Sequence, residues 1–200
     1  MRYEIFKDNL KYVDEHNAGN HTFTLALNVF ADITVEEYRY TYLRTLPPLP
    51  ELDTLDNENN ETDLFHFNGT PVVTPDSIDW RDFGAVLPVK NQGGCCNGGI
   101  DSAQDYPYIA VYKKCDTSKT NNKVVTIDGY KWVPAINENA LKTYVAKQPI
   151  TTSVEGYGRA FQLYGTGVFT KDRGIKLDHV VTLIGYGTEG STDYWLIKNS

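Results

Sequence analysis

The chain has 200 residues, enough for one ordinary domain with a modest appendage, and that length argues against two full-sized domains. With 40% hydrophobic and 22% charged residues it has the composition of a chain that folds, which excludes a wholly disordered, collagenous or membrane-embedded protein. A formal net charge of -7, from 26 acids against 19 bases, disfavours a nucleic-acid partner, because binding a phosphate backbone depends on clustered Lys and Arg.

From Arg2 to Glu15 the apolar positions Ile5, Phe6, Leu10, Tyr12 and Val13 recur at mostly helical spacing, which predicts an amphipathic helix ended by His16-Asn17-Ala18-Gly19. Met1 leads straight into Arg2-Tyr3-Glu4, not an apolar signal core, and no apolar run approaches the roughly 20 residues of a membrane span. We therefore expect no membrane partner, and nothing in the chain as written exports it. Phe23 to Phe30 alternates loosely, as a strand does, and Thr34 can cap a second helix with Glu36 and Glu37 in its first turn, where carboxylates suit the helix dipole. Residues 1–45 thus read as helix, strand, helix.

Residues 46–73 change character. Pro47, Pro48 and Pro50 are followed by Glu51, Asp53, Asp56, Glu58, Glu61 and Asp63, with no Lys or Arg between, the composition of a solvated acidic linker. Beyond it the texture is Gly-rich and strand-rich, with strands expected at Val124 to Trp132, Ile150 to Glu155, His179 to Tyr186 and Tyr194 to Lys198. One helix interrupts them: Asn137 caps Glu138 to Lys147, Leu141, Tyr144 and Val145 share a face, and Pro149 ends it. There are no internal repeats.

Three cysteines, Cys95, Cys96 and Cys115, are an odd number, so at least one thiol lacks an intramolecular partner. No His or further Cys falls at ligand spacing near the vicinal pair, so we expect no metal and no cofactor. The sequons at Asn20, Asn60 and Asn68 become acceptors only in the secretory pathway. Among the four histidines, His16, His21 and His66 stand in polar surroundings, where we expect idle, solvated rings. His179 differs: it follows Asp178 and enters Val180-Val181-Thr182-Leu183-Ile184-Gly185-Tyr186-Gly187, a strand apolar on both faces that would hold an imidazole rigidly. A catalytic imidazole needs a group to fix its tautomer and plane; Asn199 is a candidate if a hairpin through Gly187 to Thr192 pairs its strand with that of His179. A satisfied strand-end His and a turn Asn are the structural alternative.

Arg2-x3-Phe6-x2-Asn9-x3-Val13-x3-Asn17 and Asn28-x-Phe30-x-Asp32 are joined further on by Asp79-Trp80-Arg81, Gly84-Ala85-Val86 and Pro88-Val89-Lys90-Asn91-Gln92-Gly93. Asp105-Tyr106-Pro107-Tyr108, Phe161-Gln162-Leu163-Tyr164, Gly167-Val168-Phe169, Leu177-Asp178-His179 and Ile197-Lys198-Asn199-Ser200 follow in order. In this set, which spans almost the whole chain, the sequence resembles the papain-like cysteine peptidases with their inhibitory propeptide. The resemblance implies that His179 is general base and acid, Asn199 its orienter and Gln92 the side-chain donor of the oxyanion hole. Ser153 and Val180 match positions lining the family's main specificity pocket, and a small and apolar lining suits an apolar substrate side chain.

The nucleophile breaks the pattern. The family follows the Gln with Gly-x-Cys-Gly-x-Cys-Trp, whereas this chain has Gln92-Gly93-Gly94-Cys95-Cys96-Asn97-Gly98-Gly99, so counting on places Gly98 at the nucleophile. Cys95 matches the earlier, structural cysteine. Either Cys96-Asn97-Gly98-Gly99 matches a later glycine-rich motif or Gly98-Gly99-Ile100-Asp101 matches a stretch later still, and in both alignments several tens of residues including the central helix are missing. Cys115 resembles a structural cysteine whose partner lies in the missing piece. Family chains also continue past Ser200, so we expect an open sheet edge and a marginal fold.

The expectation is an α+β, papain-like chain with an inhibitory propeptide over 1–45, an acidic linker over 46–73 and a partial peptidase domain over 74–200, its β-barrel half better represented than its central-helix half. Its function by resemblance is that of a cysteine endopeptidase without a matched nucleophile; the alternative is a propeptide-like inhibitor of related cysteine proteases acting in trans. The expected partner is a peptide or protein substrate, or such a protease, for a monomer. The family is usually secreted, lysosomal or vacuolar.

Overall fold

The computed structural model describes residues 1–43, 66–67, 70–71, 73–86, 100–102, 104–105, 107, 114, 116, 118–119, 123–125, 132–171 and 174–199. Gln92, Cys95, Cys96, Cys115 and the sequons at Asn60 and Asn68 lie outside them, as does most of the acidic linker.

The N-terminal segment folds as the sequence predicts at its helices and less so at its strand. Helix α1 (Arg2–Asn17) runs two residues past the expected end and buries Asn9 and Val13. Helix α2 (Val35–Tyr42) starts where Thr34 accepts a hydrogen bond from the Glu37 amide at 3.1 Å. Strand β1 (Phe23–Leu25) has only three residues of the eight expected, because Asn28 turns the chain by accepting from the Phe30 amide at 2.9 Å.

Short pairs β2 (His66–Phe67) with β3 (Thr70–Pro71), and β5 (Ile100–Asp101) with β6 (Lys123–Val125), form two small ribbons. The main sheet sets β9 (His179–Glu189) at its centre, flanked by β10 (Thr192–Lys198), β4 (Ile78–Asp79) and β7 (Ile150–Val154), all antiparallel to it. The hairpin between β9 and β10 is tighter than expected. Pairing continues to Glu189 opposite Thr192, leaving a two-residue turn in which Gly190 takes φ +63°, a value that favours glycine.

Helix α3 (Glu138–Val145) covers this sheet, capped by Asn137, whose side chain accepts from the Ala140 amide at 2.9 Å. Its fully buried Val145 meets Leu183 and Tyr186, with Leu141, Ile78, Ile150 and Trp195 around them. The Trp80 indole donates to the Val145 carbonyl at 2.7 Å and ties β4 to the end of that helix.

A second core joins the N-terminal segment to the rest. Val13, Phe23, Leu25 and Ala31 pack on Ala160 and Leu163, residues of the short helix α4 (Arg159–Gln162) and its C-terminal cap. Strand β1 pairs with β8 (Tyr164–Gly167), Phe23 opposite Gly167 and Leu25 opposite Tyr164. Gly167 has φ +97°, and a Cβ there would lie 2.8 Å from the Phe23 Cα, so only glycine permits this approach.

Polar groups follow the same boundary. Arg159 donates to Asn9 Oδ1 at 2.7 Å and pairs with Asp8 at 2.6 Å, while Asn9 donates to the Ala31 carbonyl at 2.8 Å. The Gln162 side-chain NH2, in a residue 1% exposed, donates to the carbonyls of Phe30 at 2.9 Å and Ile33 at 3.1 Å, and the Gln162 backbone carbonyl accepts from the Asn28 side chain at 2.7 Å. Buried backbone groups that would otherwise lack partners are satisfied across the boundary, so the segment docks with a fixed register.

His16 corrects the expectation of an idle, solvated ring, while His21 is exposed as expected. His16 donates through Nε2 to the Phe23 carbonyl at 3.1 Å, and its ring stacks on His21 with centroids 4.0 Å apart. The Phe23 ring centroid lies 4.6 Å from that of His16 and 4.6 Å from that of Phe169, so the His16 imidazole belongs to the boundary packing.

Asp79 gives the fold an acid-sensitive point. Its carboxylate accepts from Arg81, and this hydrogen bonding, more than the partner's charge, holds its pKa below the ordinary carboxyl value. A folded-state pKa depressed in this way contributes stability that is present above the unfolded carboxyl pKa and lost as pH falls through the folded one. Asp79→Asn is expected to flatten the fall in stability at and below the ordinary carboxyl range, as read by urea unfolding across pH 2 to 6, about two units either side of that range.

Candidate active site

The ladder between β7 and β9 sets out the candidate residues in order. Val154 stands opposite His179 and Ser153 opposite Val180, so the two residues expected to line a specificity pocket form the cross-strand pair next to the histidine. Ser153 is half-buried, and Val180 is open to solvent.

His179 is the first residue of β9, and Asn199 follows the last residue of β10. The two strands are hairpin neighbours paired as far as Lys198 and Thr182, which brings the ends of both to one place. There Nε2 of His179 lies 2.7 Å from Oδ1 of Asn199. An amide oxygen only accepts, so Nε2 carries a hydrogen, and in the tautomer this bond selects Nδ1 is the nitrogen left without one. Sequence reasoning left open whether this was a turn Asn beside a strand-end His; the structure brings the two together.

Three further residues build the surroundings of the imidazole, and sequence reasoning gave none of them a role. Asp178 is buried; its backbone amide donates to the Val154 carbonyl at 3.1 Å, and its Oδ1 accepts from the Gly156 amide at 2.6 Å, which anchors the residue before His179. Phe161 presents its ring edge-on to His179, with centroids 6.2 Å apart and planes at 70°. Gly156 lies between the N-terminal segment and the imidazole: a Cβ there would lie 2.8 Å from Leu43 Cδ2 and 2.9 Å from His179 Cβ. Leu43 thus lies against Gly156, beside the candidate base. A buried acid directly ahead of a strand that is apolar on both faces is the one sequence signal that could have marked Asp178.

A hydrogen-bonded imidazole and amide carried on two hairpin strands, with an N-terminal helical segment laid against them, suits acyl-transfer chemistry held in check. The family model described as papain family cysteine protease matches residues 96–200, more than half of the chain. This chain belongs to the papain family of cysteine proteases. A second family model, the cathepsin propeptide inhibitor domain, matches residues 1–38 of this papain-family chain.

Relatives agree over its full length. It is 39% identical to the probable cysteine protease RD21B of Arabidopsis thaliana over 255 aligned positions, covering 100% of this chain and 53% of that protein. To the probable cysteine protease RDL2 of the same plant it is 38% identical, covering 100% of this chain and 69% of that one. The chain therefore spans about half the length of the first relatives it matches, 53 to 55%. An alignment of 255 positions for 200 residues leaves 55 positions, 255 less 200, with no residue of this chain opposite them.

Among solved structures, the digestive procathepsin L2 proteinase of the Tenebrio molitor larval midgut superposes with a TM-score of 0.83 at 29% identity, covering 100% of this chain and 82% of that one. Papain-like procathepsin structures as neighbours, with helices and sheets mixed as described, give the α+β papain-like fold expected from the sequence.

Proposed function

We propose that this chain is a cysteine endopeptidase precursor by family, with residues 1–45 as inhibitory propeptide, 46–73 as acidic linker and 74–200 as a partial peptidase domain that keeps groups for binding peptide or protein substrates but not the nucleophile. The observation that carries it is the 2.7 Å contact between His179 Nε2 and Asn199 Oδ1. In this reading Nδ1 of His179 takes the proton of an attacking thiol, and the thiolate adds to a peptide carbonyl. The imidazolium then returns the proton to the leaving amine, and water hydrolyses the thioester that remains. Asn199 keeps the ring in the productive tautomer throughout. Gln92 supplies a donor to the oxyanion, a contribution of roughly 3 to 4 kcal/mol where such donors have been removed. Ser153 and Val180 contact an apolar substrate side chain.

The thiol is the part this chain lacks by position. Counting from Gln92 places Gly98 where the family has its nucleophile, and Asn97-Gly98-Gly99 has the composition of a turn and not of the helix start that lowers a thiol pKa. Catalytic geometry tolerates misplacement of well under an ångström, so we propose that Cys95 and Cys96 do not substitute and that the chain does not turn over peptides. The test is a fluorogenic peptide assay after acid processing, with an active-site thiol label read by intact mass. No turnover and no adduct is the expected outcome; turnover abolished by His179→Ala would show that a vicinal thiol serves, and the proposal of inactivity would fall.

A further inference from the structure

The carboxylate of Asp178 is only half used. Oδ1 takes the Gly156 amide, while Oδ2, fully buried, has no hydrogen-bond donor among the described residues. A buried carboxylate oxygen in that state is a strong acceptor without a donor. The nearest cation is Arg39 of helix α2, whose Nε stands 4.0 Å from Oδ2. The same guanidinium lies over the ring of Tyr157, 4.9 Å from its centroid. Tyr157 follows Gly156, so an aromatic face and an anionic edge meet at one point, immediately before His179.

Those two surfaces together select a particular chemistry. A planar guanidinium can stack on a ring and direct its N–H fork at a carboxylate in one pose; a Lys ammonium is a compact, strongly hydrated charge that stacks less well. Arg39 comes from the N-terminal segment, as does Leu43 one helical turn later, which lies against Gly156. Both groups are therefore supplied by the segment expected to leave on activation, while Asp178, Tyr157 and Gly156 remain.

We infer that Asp178 and Tyr157 form a binding site for an arginine side chain, occupied in the intact chain by Arg39 and open to an arginine of a bound peptide once residues 1–43 leave. The peptide half of this inference rests on the cleft beside His179 being where substrate lies; the guanidinium site itself does not.

The test uses the full chain, with Arg39→Ala to empty the site and N-acetyl-arginine methylamide as the probe, followed by amide NMR shifts. Saturable shifts at Gly156 and Tyr157 are expected in R39A and not in the unaltered chain, and the lysine analogue should bind more weakly. Asp178→Asn keeps the oxygen that accepts from Gly156 and puts an NH2 at Oδ2, so in the R39A background it should weaken the probe by about tenfold or more. R39A with Tyr157→Ala serves the same purpose should D178N not fold. No saturable shift in R39A, or binding in the double variants as tight as in R39A, overturns the site. A peptide assay without turnover, beside a saturable titration, would count against substrate use and leave the guanidinium site standing.

Discussion

Replacing Leu163 with alanine is expected to lower the unfolding free energy by about 3 to 5 kcal/mol, the range found for fully buried leucines whose surroundings cannot collapse. Leu163 is 0% exposed and caps α4, with Val13, Phe23, Leu25 and Ala31 of the N-terminal segment on one side and Ala160 on the other. Its carbonyl also accepts from the Ala26 amide at 2.8 Å, so the backbone on both sides of the cavity is pinned. The loss should not spread evenly. The cluster of Val145, Leu183 and Tyr186 is a separate core, so hydrogen exchange should quicken first at residues 23–26 and later, if at all, in β9. Urea unfolding gives the magnitude and exchange gives its place; equal quickening in both cores would mean that the N-terminal segment is not an independently releasable unit.

The contacts that anchor the N-terminal segment and the candidate site lie on different elements of one fold. The groups that hold the segment down, Arg159, Gln162 and Leu163, lie just ahead of β8, whereas the candidate chemistry lies at the ends of β9 and β10. Phe161 belongs to both, since its neighbours anchor the segment and its ring meets His179 edge-on. In the proposed reading, release of the segment would remove support from Phe161, the residue that packs against the candidate base.

Local signals were legible wherever the physics is local. Thr34 and Asn137 were recognisable as caps because a side-chain oxygen three residues before an amide is a property of the chain itself. The β9–β10 hairpin was legible from two apolar runs around a glycine turn. Strand β1 was overextended, since alternation from Phe23 to Phe30 says nothing of a partner 140 residues away, and the ladder ends where Asn28 bends the chain. That the Gln162 amide satisfies two carbonyls of the N-terminal segment is a tertiary fact with no sequence period. His16 looked solvated for the same reason, its partner being the carbonyl of a strand it does not belong to. The pairing of His179 with Asn199 could be reached from the sequence through the resemblance, because pattern alone favoured an ordinary strand end.

Gly185→Ala is expected to approach the core truncation in its cost while leaving the hydrogen bond of the candidate site in place. Gly185 lies in the central strand with Asp79 of β4 on one side and Leu196 of β10 on the other. A Cβ at this position would stand 3.0 Å from the Ile78 carbonyl carbon, 3.2 Å from the Asp79 Cα and nearer still to the Ile78 carbonyl oxygen. These neighbours are backbone, so no rotamer change relieves the clash. Either β4 is driven off β9, losing the bond from the Trp80 amide to the Ile184 carbonyl at 2.9 Å, or β9 itself shifts. Overpacking of this kind typically costs about 1 to 3 kcal/mol and more where only backbone can yield, and we expect the upper end or beyond. The two responses differ in their effect on the imidazole. If β4 leaves, β9 and β10 keep their register and the His179–Asn199 hydrogen bond survives; if β9 moves, that bond lengthens and the ring loses its fixed tautomer. Nitrogen-15 chemical shifts of the His179 ring distinguish them, because a neutral imidazole with one protonated nitrogen gives two well-separated signals and a ring exchanging tautomers gives averaged ones. We expect separated signals, since β4 pairs with β9 through two residues and β10 through seven, so the shorter contact yields first.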